Sequence, residues 1–315
     1  MCPAGRFSRP WRAFAAKLAP MLSPPAPGPQ TMTPRDAAIG VSWALAAFLC
    51  YSLVPIGVRM LGTSMPPIEI LFFRSIIGFS AFLAFFSWRG FGNLKTARFG
   101  LHLQRNIVNF VGMWLWFAAL TVMPLAKAVT LHFTEPMMSA VLAVWVLGER
   151  PGSRRIIAIL GGFAGILIVL RPGAIPIGWP ILAVLGSALL YACVSIYTRV
   201  LGRTEAASTT TFYYQAMLAA FSLPPALLGW VTPGWDDLPG ILLIGIFGSA
   251  APYFIIRALR HAEATLISPL GFLRLPLIAG FAYLFFSEPT GMWTWIGAAV
   301  ILSSAYFMTR REVGG

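Results

Sequence analysis

Residues 119–171 read ALTVMPLAKAVTLHFTEPMMSAVLAVWVLGERPGSRRIIAILGGFAGILIVLR, and residues 258–310 read ALRHAEATLISPLGFLRLPLIAGFAYLFFSEPTGMWTWIGAAVILSSAYFMTR. An ungapped offset of 139 positions lays the first stretch on the second, so that Glu149 falls on Glu288 and Arg171 falls on Arg310. Both stretches have an apolar segment, a turn with a glutamate, a second apolar segment and a closing arginine. An internal repeat of this kind indicates the architecture of the whole chain.

The composition is typical of a protein that crosses a membrane several times. Of the 315 residues, 58% are hydrophobic and 10% are charged, and the mean hydropathy is +0.77. In a soluble domain about a quarter of the residues are charged. The apolar residues come in runs of about 20, the length with which a helix crosses a hydrocarbon core. Cys2, Cys50 and Cys193 form no paired motif, so the sequence predicts neither a disulfide framework nor a metal site.

Ten apolar segments are predicted to span the membrane. They are residues 39–60, 68–88, 104–122, 125–147, 154–171, 177–199, 209–230, 238–258, 264–286 and 291–309. Of the 23 Lys and Arg residues, 18 lie on the side of the N-terminus, and Arg59, Lys127 and Arg171 lie on the other side. Because basic residues mark the cytoplasmic side, we expect both termini to be cytoplasmic.

Each half of the chain holds five of these spans. Tyr51 falls on Tyr191, and Arg59 falls on Arg199, at an offset of 140. Since five is odd, the second half enters the membrane from the opposite side, as in transporters that bind substrate near the midplane. The sequence therefore predicts an all-α integral membrane protein of ten transmembrane helices in two inverted five-helix repeats around a central cavity. We expect the repeats at 37–173 and 174–311, after a disordered, basic and proline-rich cytoplasmic tail over 1–36.

Several of these residues resemble the EamA signature of the drug/metabolite transporter superfamily. The matching residues are Ala119-Leu120, Pro124-Leu125-Ala126, Pro136, Leu147-Gly148-Glu149-Arg150, Gly161-Gly162, Ala258-Leu259, Phe286-Ser287-Glu288-Pro289, Gly297 and the segment from Glu69 to Arg74. The second copy departs from the signature at Ala262-Glu263-Ala264. The resemblance covers residues 39–310 and implies a bacterial inner-membrane carrier of ten helices around a cavity. Many relatives of this kind export amino acids or other small metabolites.

Two ionisable residues lie near the middle of predicted spans, where a charge costs about 2.5 kcal/mol or more. Glu135 and Arg274 are equivalent under the offset of 139, and each lies ten residues, or about 15 Å, into its span. We expect them to form or flank the polar centre of the substrate site, the alternative being an ion pair that holds the two halves together. Arg74 is a second candidate partner for Glu135. His132 is three residues before Glu135 and could share a proton with it, or simply hydrogen-bond within the bundle.

Aromatic and amide side chains supply further candidates for the lining of the site. Asn106, Asn109, Met113 and Trp116 follow a 3-4-3 spacing on the third span, and Trp43, Tyr51 and Tyr191 lie on the first and sixth. Such a pocket would suit apolar or aromatic substrates, although these residue types also pack or face lipid. Candidate hinges are the prolines within spans, because each removes a backbone donor; they are Pro55, Pro136, Pro252 and Pro276.

The sequence predicts a transporter and not an enzyme, because it holds no Walker loop, HExxH motif or nucleophile elbow. The primary hypothesis is a secondary active transporter that exports amino acids or related small metabolites by alternating access. The alternatives are an uptake exchanger for a larger metabolite such as a nucleoside derivative, and an intramembrane enzyme or assembly factor. We expect a small-molecule substrate and membrane lipid as partners, with no cofactor and no nucleic acid. Proton coupling, direction, and the choice between monomer and homodimer stay open. Glu149 and Glu288 are interpreted as structural residues of equivalent turns, with gating as the alternative.

Overall fold

The computed structural model describes residues 34–89, 96, 98–147, 153–171, 178–201, 205, 207–262 and 267–309. Within these ranges the chain is helical and holds no strand, since in lipid a spanning helix satisfies its own backbone. The helices are α1 (Pro34–Leu61), α2 (Pro67–Arg89), α3 (Phe99–Leu120), α4 (Leu125–His132), α5 (Glu135–Leu147), α6 (Ser153–Leu170), α7 (Trp179–Leu201), α8 (Ala207–Leu227), α9 (Leu238–His261), α10 (Arg274–Phe286) and α11 (Met292–Thr309). Short 3₁₀ segments occupy Trp235–Asp237 and Ser268–Leu273.

The lengths and compositions of these helices fit a protein that crosses a membrane several times. Four segments of the described chain are long and apolar enough to cross a membrane by themselves, namely Arg35–Leu61, Pro67–Trp88, Trp179–Thr198 and Trp235–Ala258. Shorter apolar helices occupy Ile159–Leu170, Arg274–Phe286 and Met292–Ser304. Together with α3, α8 and the α4–α5 pair they make up the ten predicted crossings.

The helix bounds repeat along the chain almost residue for residue. At an offset of 140, the start of α2 maps onto the start of α8. At an offset of 139, α5 maps onto α10 and α6 maps onto α11, in each case at both ends. The two halves therefore have one helical pattern, and the odd number of crossings in each gives them opposite orientations. The predicted fold class is confirmed.

The two halves pack against each other in symmetric pairs. α1 packs on α9 just as its counterpart α7 packs on α3, and the equivalent helices α2 and α8 also pack together, as do α6 and α11. Gly165 and Gly297 lie at the α6–α11 contact, where a Cβ on Gly297 would come within 2.9 Å of the Gly165 carbonyl oxygen. Small residues thus let α6 and α11 approach closely inside the chain.

Two predicted spans differ from the structure because each is broken. The fourth is α4 followed by α5, and the ninth is a 3₁₀ segment followed by α10, with the breaks next to the candidate hinges Pro136 and Pro276. Pro136 and Pro276 explain the breaks, because a proline has no amide to donate to the turn before it and its ring clashes with that turn. Each lies in the first turn of the new helix, where no donor is needed.

Smaller differences concern helix ends. α1 begins at Pro34, so residues 34–36 are helical and do not belong to the disordered tail that the sequence predicts. α3 begins at Phe99, five residues before the predicted span 104–122, so Arg105 lies inside the helix and not at its start. The Arg105 Nε donates a hydrogen bond of 2.9 Å to the Thr198 hydroxyl of α7, and this bond gives the charge a polar partner near the end of the span.

Candidate functional site

The two helix breaks position the two central charges. Glu135 is the first residue of α5 and Arg274 is the first residue of α10. Ser195 of α7 donates a hydrogen bond of 3.0 Å to the Glu135 carboxylate. The guanidinium carbon of Arg274 lies 5.0 Å from the ring of Tyr51 on α1 and 5.9 Å from the ring of Phe133. Because α1 and α7 are equivalent helices, each central charge contacts the first helix of the other repeat.

Glu135 and Arg274 are not joined in this conformation. Within the described part of the chain their side chains form no ion pair and no hydrogen bond with each other, although they interact electrostatically at longer range. The Arg274 Nε is buried and has no hydrogen-bond partner. The ion pair that the sequence analysis kept as an alternative is therefore absent here. The guanidinium keeps its hydrogen-bonding capacity for another partner.

Arg74 and Tyr214 contact each other at the boundary between the two halves of the chain. Their positions differ by 140, so they are equivalent residues of α2 and α8. Arg74 Nη1 donates a hydrogen bond of 3.1 Å to the Tyr214 hydroxyl, and its Nη2 donates one of 3.1 Å to the Gly248 carbonyl. Equivalent residues can touch only near a pseudo-two-fold axis, so this pair marks that axis. The structure does not pair Arg74 with Glu135, the partner that the sequence suggested.

The described charges of this region are mainly positive. The guanidinium carbon of Arg105 lies 5.5 Å from the Tyr214 ring, next to that of Arg74 at 5.8 Å. Arg274 lies in the same region and interacts electrostatically with Glu135, the carboxylate described there. An excess of buried cations is costly unless an anion binds. The region can therefore accept the acidic group of a small molecule.

His132 lies in an aromatic box on the other side of the break. The rings of Trp116 and Tyr191 have their centroids 4.4 and 5.2 Å from that of His132. The Ser187 hydroxyl is 3.4 Å from His132 Nε2. Although helical spacing puts His132 beside Glu135, the break after α4 removes that relation, and the described contacts hold no hydrogen bond between the two.

The polar and aromatic face predicted on the third span is buried. Asn106, Asn109, Met113 and Trp116 are all buried in α3. Asn106 donates a hydrogen bond of 3.1 Å to the Met217 sulfur, whereas the Asn109 Nδ2 is buried without a partner. The ring centroid of Trp43 lies 5.3 Å from that of Phe254 and 5.3 Å from the guanidinium carbon of Arg257.

The candidate hinges occupy two kinds of position. Pro55 lies within α1 and Pro252 within α9, so both interrupt the hydrogen bonding of continuous helices. Pro136 and Pro276 lie in the first turns of α5 and α10, beside the central charges. A change of angle at these breaks would move Glu135 and Arg274 directly, so the hinge role stays a prediction with a defined location.

Sequence reasoning missed three contributors to the site. They are Tyr214, Ser195 and Phe133, which bond to or pack on Arg74, Glu135 and Arg274 respectively. Tyr214 could have been found, because the repeat offset places it on Arg74. Among the described residues, no group of three or more His, Cys, Asp or Glu could hold a metal ion.

A family comparison covers almost the whole described chain. The EamA-like transporter family matches residues 38–171 and again residues 178–310. A solved crystal structure superposes with a TM-score of 0.64 at 18% sequence identity, over 88% of this chain and 99% of that chain. At that identity the likeness concerns the fold alone.

Curated relatives resemble the chain over nearly their full lengths. It is 31% identical to a riboflavin transporter of Rhizobium johnstonii, over 89% of this chain and 94% of the relative. It is 29% identical to an S-adenosylmethionine uptake transporter of Rickettsia prowazekii, over 87% and 93%. It is 27% identical to a pseudopaline exporter of Pseudomonas aeruginosa, over 87% and 97%. The names of these relatives differ in both substrate and direction.

Proposed function

Since the chain belongs to the EamA-like transporter family, we propose that it is a secondary active transporter for a metabolite that combines an aromatic or heteroaromatic ring with an acidic group. The observation that carries this proposal is Arg274, which lies on two aromatic rings with a buried, unpartnered Nε. A cation inside a multi-pass membrane protein is costly, and binding the acidic group of a substrate would offset that cost. Alternating access between the inverted repeats would carry the bound molecule across.

The acidic group of the substrate would bind Arg274. A guanidinium presents a planar fork of donors that matches a carboxylate or a phosphate in two hydrogen bonds. Leaving those donors unpaired inside the bundle is costly, so an anion that occupies them gains binding energy. The ring of Tyr51 lies against the same guanidinium and would leave only one side for approach.

A cationic or N–H group of the substrate would bind Glu135. The carboxylate accepts one described hydrogen bond, from Ser195, and so has remaining acceptor capacity. A molecule with an ammonium and a carboxylate could thus be held between the two broken helices. Both the export of amino acids that the sequence favours and the uptake of a larger metabolite fit this pair of contacts.

The aromatic surroundings favour the larger, ring-bearing class. Tyr51 and Phe133 lie on Arg274, and Trp116 and Tyr191 enclose His132, so flat apolar surfaces are available on both sides of the breaks. The names of two relatives specify S-adenosylmethionine and riboflavin, both of which contain heteroaromatic rings. An exchanger for nucleoside-type metabolites is therefore our first candidate, and export of amino acids is the second.

Matched pairs of solutes test this proposal in proteoliposomes. The pairs are S-adenosylmethionine with adenosine, riboflavin phosphate with riboflavin, and phenylalanine with phenethylamine. In each pair we expect faster transport of the acid-bearing member, by about tenfold, because charged hydrogen bonds are worth about 1.5–3 kcal/mol. Uptake and efflux would be followed separately, with empty vesicles as the control. Equal rates within every pair would contradict the role of Arg274, and transport of none of the six would contradict the substrate class.

The distribution of basic residues indicates the orientation of the protein in its membrane. We place the protein in a bacterial inner membrane with both termini in the cytoplasm, because 18 of 23 basic residues lie on that side of the predicted spans. The repeats are proposed at residues 37–173 and 174–311. Gly161 and Gly165 of α6 pack against α11, so they favour neither a monomer nor a homodimer.

Proton coupling, if present, is expected to depend on Glu135 and not on His132. His132 is enclosed by two rings and contacts Ser187, whereas Glu135 lies at a break and faces Arg274 electrostatically. We therefore expect His132→Gln to keep the wild-type pH profile of transport between about pH 5 and 8, the range in which histidine titrates. Uptake rates across that range would be measured for His132→Gln and Glu135→Gln. Loss of pH dependence in His132→Gln alone would contradict this assignment.

A further inference from the structure

One ion pair joins the two repeats at the face where α1 and α10 end, here called the Glu288 face. Arg59 Nη2 lies 2.6 Å from Glu288 Oε1, and Arg59 Nη1 donates a hydrogen bond of 3.3 Å to the Leu120 carbonyl. The second carboxylate oxygen of Glu288 accepts a hydrogen bond of 3.0 Å from the Leu125 amide, at the start of α4. A single carboxylate therefore connects the ends of α1 and α3, the start of α4, and the turn after α10.

The turn after α10 is shaped to present this carboxylate. Ser287 has a φ of 54°, in the left-handed region that L-residues other than Gly seldom adopt. The amides of Ser287 and Glu288 turn back to the carbonyls of Tyr283 and Ala282, at 3.0 and 3.2 Å. The bond from the Ser287 amide to the Tyr283 carbonyl is that of an αL helix cap without the usual glycine. The strained turn aims Glu288 across the boundary between the repeats.

The elements tied at the Glu288 face are those that carry the central charges. α10 runs from Arg274 to Phe286, two residues before Glu288, and α4 runs from Leu125 to the break before Glu135. At 1.5 Å per residue, the 13 residues of α10 separate the ion pair from Arg274 by about 20 Å. Any tilt of the broken helices that opens a path to the centre from this face must separate Arg59 and Leu125 from Glu288.

The ion pair is suited to repeated breaking. The side chains of Arg59 and Glu288 keep 23% and 18% of their exposure, so both can be rehydrated when they separate. A cavity of about 110 Å³ lies beside the pair and is lined in part by Lys127, Glu288 and Thr294. This cavity gives water and solute access to the carboxylate.

The repeat supplies a second set of the same residues. The offsets of 140 and 139 place Arg59 on Arg199, Glu288 on Glu149 and Leu125 on Ala264, and inverted topology puts that set on the opposite face. The Arg199 side chain, Glu149 and Ala264 lie outside the described residues. Inverted repeats alternate by exchanging their conformations. When the Arg59–Glu288 set is joined, we expect the equivalent set on the opposite face to be separated, and the reverse in the other state.

We propose that Arg59 and Glu288 form a latch that holds the transport path closed at the Glu288 face and opens once in each transport cycle. From sequence, Glu288 is interpreted as structural with gating as the alternative, and the latch favours gating. The proposal rests on the proposed function only in requiring alternating access. It is independent of the identity of the substrate.

Thiol labelling tests the latch without any substrate. Ser195→Cys, in a background of Cys2→Ser, Cys50→Ala and Cys193→Ala, places one thiol next to Glu135 at the centre. A membrane-impermeant methanethiosulfonate would be added from the Glu288 face in sealed vesicles. We expect Glu288→Gln and Arg59→Gln to raise the labelling rate from this face about tenfold, as expected for the loss of a charged hydrogen bond. The rate from the opposite face should not rise.

Control variants separate the latch from a general loss of structure. Asp236→Asn removes one negative charge from an exposed position on the same face and should leave labelling unchanged. The double variant Arg59→Glu with Glu288→Arg should return the rate toward wild type relative to either single reversal. An unchanged rate in Glu288→Gln, or an equal rise from both faces, would overturn the latch. Because labelling needs no substrate, a failed transport panel with altered labelling would overturn the proposed substrate and leave the latch standing.

Discussion

Replacement of Glu135 by glutamine is expected to lower transport about 100-fold. Glu135 interacts electrostatically with Arg274 in the described centre, and its removal leaves Arg274 without this acidic neighbour. Breaking a buried charge relationship by removing one partner costs about 3–5 kcal/mol, and each 1.4 kcal/mol is tenfold. Initial rates of uptake in proteoliposomes, at matched protein density, would measure the loss.

The neighbouring serine provides a graded control for this prediction. Ser195→Ala removes the one described hydrogen bond to the carboxylate and keeps its charge. We expect it to reduce transport by about tenfold or less, since a hydrogen bond to a charged group is worth about 1.5–3 kcal/mol. If Glu135→Gln transported at the wild-type rate while Ser195→Ala was impaired, the carboxylate would have no role in binding.

Replacement of Arg274 by glutamine is expected to abolish selectivity for the acidic group, as well as most transport. The Arg274 Nε is buried without a partner, so we expect the guanidinium to donate to the substrate. We expect a loss of about 100-fold for the acid-bearing solutes, on the same energetic grounds. Arg274→Lys keeps the charge but loses the planar, two-point contact, so it should recover only part of that activity.

The matched control is another arginine on an aromatic ring. The Arg257 guanidinium lies 5.3 Å from the Trp43 ring near the end of α9, and its Nε is also buried without a partner. We expect Arg257→Gln to keep the selectivity for acid-bearing solutes. The transport rates of S-adenosylmethionine and adenosine would be compared in both variants. An Arg274→Gln variant that still prefers S-adenosylmethionine would contradict the assigned contact.

Hydropathy and the internal repeat were enough to predict the fold. Apolar runs of spanning length force helices in lipid, and an odd number of spans in each half forces inversion. The apolar runs continue through Pro136 and Pro276, so hydropathy alone predicts a span there, and only the prolines indicate a hinge. The prolines were visible in the sequence, but their consequence is local geometry: a new helix begins just before each of them.

The site was predictable in position and unpredictable in its partners. Depth within the spans and repeat equivalence singled out Glu135 and Arg274, and both lie at the breaks. Which side chains contact them depends on how ten helices pack, so sequence spacing suggested Arg74 and His132 as partners of Glu135, while the structure places Ser195 there. The latch was missed for the same reason, because Arg59 and Glu288 are 229 positions apart.

The central claim is that the two halves of the transporter differ in charge at equivalent breaks in order to bind substrate, and not in order to hold the protein together. The charge-exchanged variant Glu135→Arg with Arg274→Glu tests it most directly, with folding checked by size-exclusion chromatography in detergent. We predict that this variant is folded and monodisperse, and that its transport of the wild-type substrate is reduced about 100-fold. Transport at the wild-type rate would contradict the claim, because it would mean that the two charges only need each other.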